Sequence, residues 1–126
     1  MLSMKKRLTI ILKAEEVLLL RSAIEHIAAD IEAICASEES KRQYWQLVNL
    51  TLIDFYQANY ANLMLLRLDN KFKVSAPQLS AILSVLYFLD TPQSMELADY
   101  VRTSAKTKLT NATDMASVAF TQAITI

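Results

Sequence analysis

No glycine occurs in the 126 residues of this chain, where average usage of ~7% would place roughly nine. Glycine is the residue that turns left-handed at no steric cost and lets a backbone approach a ligand closely. Phosphate-cradling loops, dinucleotide-binding turns and nucleophile elbows all depend on it. Those three motifs are therefore excluded. Two-residue hairpins of the Asn-Gly kind are absent as well, which argues against an all-β fold. The remaining reading is helical.

The stretch Gln43 to Asn70, QYWQLVNLTLIDFYQANYANLMLLRLDN, has neither Gly nor Pro in 28 residues and holds the only Trp and three of the five Tyr. It reads as one long helix around which the rest of the chain packs. On a wheel of about 100° per residue, its richest apolar arc holds Tyr44, Val48, Leu52, Phe55, Leu63 and Leu66, with Asn59 in the middle. A buried Asn59 must have its amide hydrogen-bonded or set register. Beside this arc run Trp45, Asn49, Leu52, Tyr56, Tyr60, Leu63 and Arg67, and Leu47, Leu50, Ile53, Met64 and Leu65 cover much of the rest. A helix apolar nearly all round is expected to be buried nearly all round. At about 40 Å it is too long for partner helices of roughly 22 Å to cover end to end, so a second subunit is expected to complete it.

The flanking segments follow their own signals. Leu8 to Leu12 (LTIIL) reads as a strand, and Ala14 to about Ala36 as a helix with Val17, Leu20, Ile24, Ile27, Ile31 and Ile34 on one face. Ser37, with Glu38 four residues before Arg42, offers a cap for the next helix, and Ser40 with Gln43 a competing one. Either forces an antiparallel αα-hairpin. KFKV (Lys71–Val74) alternates as a half-buried strand does. Ser75 with Gln78 and Pro77 opens a third helix, and Asp90-Thr91-Pro92 stops it and opens a fourth that buries Leu97, Ala98, Val101 and Ala105. Met115 to Ala123 reads either as one more short helix or as a frayed tail. A weak repeat at an offset of 62 residues relates LTIILKAEEV to NKFKVSAPQL. The expected fold is mainly α: a four- to five-helix bundle, βααβαα, with a long N-terminal αα-hairpin and a pair of short strands. It forms a single domain over residues 1–106, followed by a C-terminal tail over 107–126.

The length suffices for a real core, and 53% apolar residues imply either a dense core or apolar surface kept for a partner. Cys35, the single cysteine, has no internal partner, which points to a reducing compartment and to a small buried residue. Leu8 to Leu12 is too short for a signal peptide. Val74 to Leu89, 16 residues without charge, falls short of a span. A cytoplasmic protein that does not enter the membrane is expected. Net charge is zero, 13 against 13, but unevenly placed: residues 1–13 carry +4, while residues 14–40 hold one base against seven acids.

Catalytic chemistry is hard to place. The single His26, one turn before Asp30, sits on a polar face with no convergent partners, and no Glu-x-x-His or Cys-His spacing suits iron or zinc. No catalytic, metal or cofactor residue is assigned, and a non-enzymatic protein is expected. The basic residues offer more. Were the two strands to pair, Lys5, Lys6, Arg7, Lys13, Lys71 and Lys73 would gather at one end as a candidate anion patch; otherwise these are lysines that keep strand edges from aggregating.

KRLTIILKAEEVLLL resembles the start of ribbon-helix-helix repressors, a strand followed by an amphipathic helix. The likeness covers about fifteen residues and then fails, because the first helix runs on to about Ala36 with no Gly-containing turn into a short second helix. The chain is not assigned to that family. Glu96 to Val101 (ELADYV) resembles the first helix of a helix-turn-helix, but Thr103 and Lys108 stand where apolar residues should pack.

Three functions are carried forward. The first is a non-enzymatic oligomerisation or protein-interaction domain, a homodimer built on the first two helices, with Trp45, Asn49, Tyr56, Tyr60 and Arg67 as candidate partner interface, since Trp, Tyr and Arg are enriched at interface hot spots. The alternative is a nucleic-acid-associated regulator using Lys5, Lys6, Arg7, Lys71 and Lys73. A further alternative is a small-molecule binder with a pocket near Tyr56, Asn59 and Tyr60.

Overall fold

A computed structural model describes residues 7–109 and 115–124. Strands β1 (Leu8–Leu12) and β2 (Asn70–Val74) pair antiparallel, with Leu8 opposite Val74, Ile10 opposite Phe72 and Leu12 opposite Asn70. The two-residue period of a strand turns those six residues inward, where all are buried. Thr9, Ile11, Lys71 and Lys73 are left on the outer face. The fold is mainly α with this small two-stranded sheet, as the apolar periodicities predict.

Helix α1 (Ala14–Ser37) buries Val17, Leu20, Ile24, Ile27 and Ile34 as expected, along with Ala23 and Cys35. Its first turn is closed by Glu16, whose Oε1 accepts from the Lys13 amide at 2.8 Å. The link to α2 (Arg42–Ala58) differs from both expected caps. Ser37 Oγ turns back to the Ile34 carbonyl, a 3-10 turn forms over Glu39–Lys41, and α2 begins without a side-chain cap. Arg42 pairs with Glu39 at 2.9 Å rather than with Glu38, which takes Lys41 instead. That hydrogen bond and the charge of the guanidinium hold the Glu39 carboxyl below its ordinary range.

The expected 28-residue helix is not continuous. It is interrupted at Asn59, resumes as α3 (Tyr60–Met64), and is over before Leu65. Asn59 is half-buried, not the buried core amide expected. Its backbone N–H and its Nδ2 both donate to the Phe55 carbonyl, at 3.0 Å each, and so finish α2. The Arg21 guanidinium donates to the Leu63 carbonyl at 3.2 Å, satisfying an end of α3 that its own ladder leaves open. With 17 residues α2 spans about 25 Å, shorter than the 24-residue α1. The length argument for a second subunit therefore falls.

Helix α4 (Ala76–Leu89), not α2, is the centre of the molecule. It packs against α1, α2, α5 and α6, and every residue from Leu79 to Leu86 except Ser80 is buried. Ser75 caps it as expected, its Oγ accepting from the Gln78 amide while Gln78 Oε1 accepts from the Ser75 amide. Asp90 ends it in the left-handed region at φ 51°. Thr91 and Ser94 then bond reciprocally, amide to hydroxyl, to open α5 (Pro92–Leu109), which runs past residue 106. Helix α6 (Met115–Ile124) packs on α4 and α5, with Phe120, Ala123 and Ile124 buried in the same core. No helix among the described residues is long and apolar enough to cross a membrane.

Candidate interaction surfaces

The stripe from Trp45 to Arg67 does not form one face. Trp45 is buried, stacked edge-on against Phe88 at 4.8 Å and Tyr44 at 5.2 Å, in the seam between α2 and α4. Tyr44, expected inside, is exposed along its ring, but its hydroxyl lies 2.6 Å from Ser84 Oγ. Because Ser84 donates to the Ser80 carbonyl, Tyr44 is the donor across this seam. Asn49 and Tyr56 are half-buried, while Tyr60 and Arg67 are exposed, Arg67 in the loop after α3.

Tyr56 faces α1 instead. Its hydroxyl donates to Glu25 Oε2 at 2.6 Å, and this bond, together with partial burial, pushes the phenol above its ordinary value. Tyr56 and Tyr60, with ring centroids 6.1 Å apart, line a shallow groove of about 450 Å³ with Ile24, Ala28 and Ile53. Asn59 does not line this groove but a different one, shared with Asn62 and the strand residues Thr9, Ile11, Lys71 and Lys73. The pocket expected from Tyr56, Asn59 and Tyr60 together is therefore divided.

Two exposed apolar side chains stand on the outward side of α2. Leu47 and Leu50 are 66% and 63% exposed, one turn apart, with Gln43, Gln46, Asp54 and Gln57 exposed around them. Farther along the chain, Tyr60 is 56%, Leu65 54% and Leu68 84% exposed. Leu47, Leu50 and Leu65 were visible in the sequence as apolar residues outside both main arcs. Only the break after Met64 turns Leu65 to Leu68 into an exposed loop rather than a helix.

The sheet presents a chemically different surface. Across its outer face Lys71 stands opposite Ile11 and Lys73 opposite Thr9, and these four join Asn59 and Asn62 around a groove of about 530 Å³. Arg7 and Lys13, on either side of β1, are exposed; Lys5 and Lys6 lie outside the described residues. Both open edges of the sheet are met by side chains. On the β1 side Tyr100 donates to the Ile11 carbonyl at 2.7 Å and Lys108 to the Thr9 carbonyl. On the β2 side Asn62 donates to the Lys71 carbonyl at 3.2 Å. The helix-turn-helix likeness of ELADYV ends here, because α5 is one uninterrupted helix whose Tyr100 and Lys108 dock on β1.

His26 is exposed on α1 beside Asp30, at 3.3 Å. Cys35 is buried, its Sγ directed at the Arg42 carbonyl 3.8 Å away. Among the described residues no three His, Cys, Asp or Glu side chains converge as metal ligands would. Set against protein-family models, curated proteins and solved structures, the chain matches none of them.

Proposed function

We propose that this chain is a non-enzymatic helical module that self-associates, two copies meeting through the outward side of α2. The exposure of Leu47 and Leu50 carries this reading. Two large aliphatic side chains one turn apart, each more than three-fifths open to water, leave unsatisfied about 1.5–3 kcal/mol apiece of hydrophobic stabilisation. Neighbouring exposed aliphatic side chains rimmed by polar ones are the kind of surface an association site uses. Gln43, Gln46 and Gln57 supply such a rim.

A second copy suits the surface electrostatically. The segment 14–40 carries one base against seven acids and would repel itself. The outward side of α2 carries Asp54 alone among Gln43, Gln46, Leu47, Leu50 and Gln57. Two α2 helices crossing about a twofold axis bring Leu47 and Leu50 of each copy together with little like-charge conflict. The lone, buried Cys35 supports placing the assembly in a reducing, cytoplasmic compartment. Light scattering coupled to size-exclusion chromatography at micromolar concentration tests the reading. A mass near twice the 14.2 kDa of the chain is expected, and a clean monomer overturns it.

A further inference from the structure

We propose that the outer face of the β1–β2 sheet is a contact surface for the phosphate backbone of double-stranded DNA, a role separate from self-association. The pairing register sets Lys71 and Lys73 side by side on this face, with Arg7 and Lys13 exposed at the two ends of β1. Alternate residues of one strand stand about 7 Å apart, so Lys71 and Lys73 stand in line along β2, as a line of phosphates requires. The groove that Lys71 and Lys73 line is completed by Thr9, Ile11, Asn59 and Asn62, and no carboxylate lines it.

Two observations separate this from a generic solvated surface. First, most other cations among the described residues are engaged, the exposed Arg67 excepted. Lys41 pairs with Glu38, Arg42 with Glu39 and Glu32, Arg21 bonds the Leu63 carbonyl, Lys108 bonds Thr9 and Arg102 lies over the Tyr87 ring. Lys71 and Lys73 have no carboxylate within ion-pair distance among the described residues. Second, the protective role of edge lysines is already filled. Tyr100, Lys108 and Asn62 occupy carbonyls on both edges of the sheet, so a further pair of cations is not needed to deter strand pairing. Each asparagine also has a second amide hydrogen beyond the one used on Phe55 or Lys71. An anionic membrane surface calls for apolar anchors beside the cations, and Ile11 is the one apolar residue lining this groove.

The test is fluorescence anisotropy of a labelled mixed-sequence DNA duplex titrated with the full chain. Saturable binding is expected at low salt, falling about a hundredfold between about 50 and about 200 mM NaCl if roughly four phosphates are neutralised. The double variant Lys71→Gln/Lys73→Gln is expected to bind at least about tenfold more weakly at low salt, with a shallower salt slope. Its circular dichroism and melting temperature should match the parent, because both side chains are exposed. Lys41→Gln, on the turn between α1 and α2, should bind as the parent does. Absence of saturable binding at low salt overturns the proposal, as does unchanged affinity in the double variant. Binding to phosphatidylserine vesicles without binding to the duplex overturns it as well and assigns the face to a membrane surface.

Discussion

The side-chain amide of Asn70 donates to the main-chain carbonyl of Leu12 at 3.1 Å, joining two residues 58 positions apart in the chain. The same side chain closes the loop before it, Oδ1 accepting from the Arg67 amide at 2.9 Å and Nδ2 donating to the Arg67 carbonyl at 2.7 Å. Asn70 is only 3% exposed, so water cannot replace these bonds. Asn70→Ala leaves several main-chain groups short of partners and is expected to cost about 2–3 kcal/mol, read as a drop in melting temperature of roughly 10 °C. A loss under about 0.5 kcal/mol would show that the loop holds itself without this clamp.

Leu47→Glu/Leu50→Glu places two carboxylates on the outward side of α2, where neither leucine packs on the chain's own core. Circular dichroism should be unchanged, since exposed substitutions usually stay within about 0.5 kcal/mol. Sedimentation velocity should show the monomer at concentrations where the parent dimerises. A variant that remains dimeric would move the interface off α2.

Tyr44→Phe removes the bond to Ser84 that ties α2 to α4. Ser84 keeps the Ser80 carbonyl as a partner, so no buried hydroxyl is orphaned and the cost should stay near 1 kcal/mol. Urea unfolding measures it. A cost of about 3 kcal/mol would mean that the ring reorients and the Trp45 seam opens with it.

The Tyr56 phenol is raised above its ordinary value by its bond to Glu25, so the folded state holds this proton more tightly than the unfolded chain. Its stabilisation is complete below about pH 10, the value in an unfolded chain, and is lost as pH rises through the higher folded value. Tyr56→Phe should therefore flatten the alkaline fall in stability and remove from an ultraviolet titration a phenol that ionises above the ordinary value. Loss of a phenol that titrates in the ordinary range, with the alkaline fall in stability unchanged, would show that the bond to Glu25 does not hold the proton.

Asp90 ends α4 at φ 51°, in a chain with no glycine to take that position. The left-handed region carries a steric cost for a residue with a Cβ, partly offset by the flexibility that glycine loses on folding. Asp90→Gly is expected to raise stability by about 0.5–1 kcal/mol, measured by thermal melting. A loss instead would assign the carboxylate a role beyond ending the helix.

Much of the fold was legible residue by residue. The short β-branched run LTIIL and the alternation of KFKV named both strands, the second one residue short at Asn70, and the Ser75–Gln78 and Thr91–Pro92 signals placed the starts of α4 and α5. These are local rules, satisfied within a turn of helix or one strand. The helix from Gln43 ends earlier than its apolar pattern predicts because its end carries no local signal. Residues 59–70 contain neither Gly nor Pro, and Leu66 adopts φ 27° against its own preference. The candidate interface divides for a related reason. Trp45 and Leu50 are both apolar positions on one wheel, and only the placement of α1 and α4 decides which is covered.

The sequence by itself determined the helical class, the two strands, the capped starts of α4 and α5 and the absence of glycine-dependent sites, because each rests on periodicity or residue chemistry within a few positions. The tertiary structure alone decided where the central helix stops, that α4 rather than α2 lies at the centre, and which leucines face water. Those outcomes depend on contacts between distant segments: β2 must reach β1 with Asn70 opposite Leu12, and that pairing requires the chain to leave the helix after Met64.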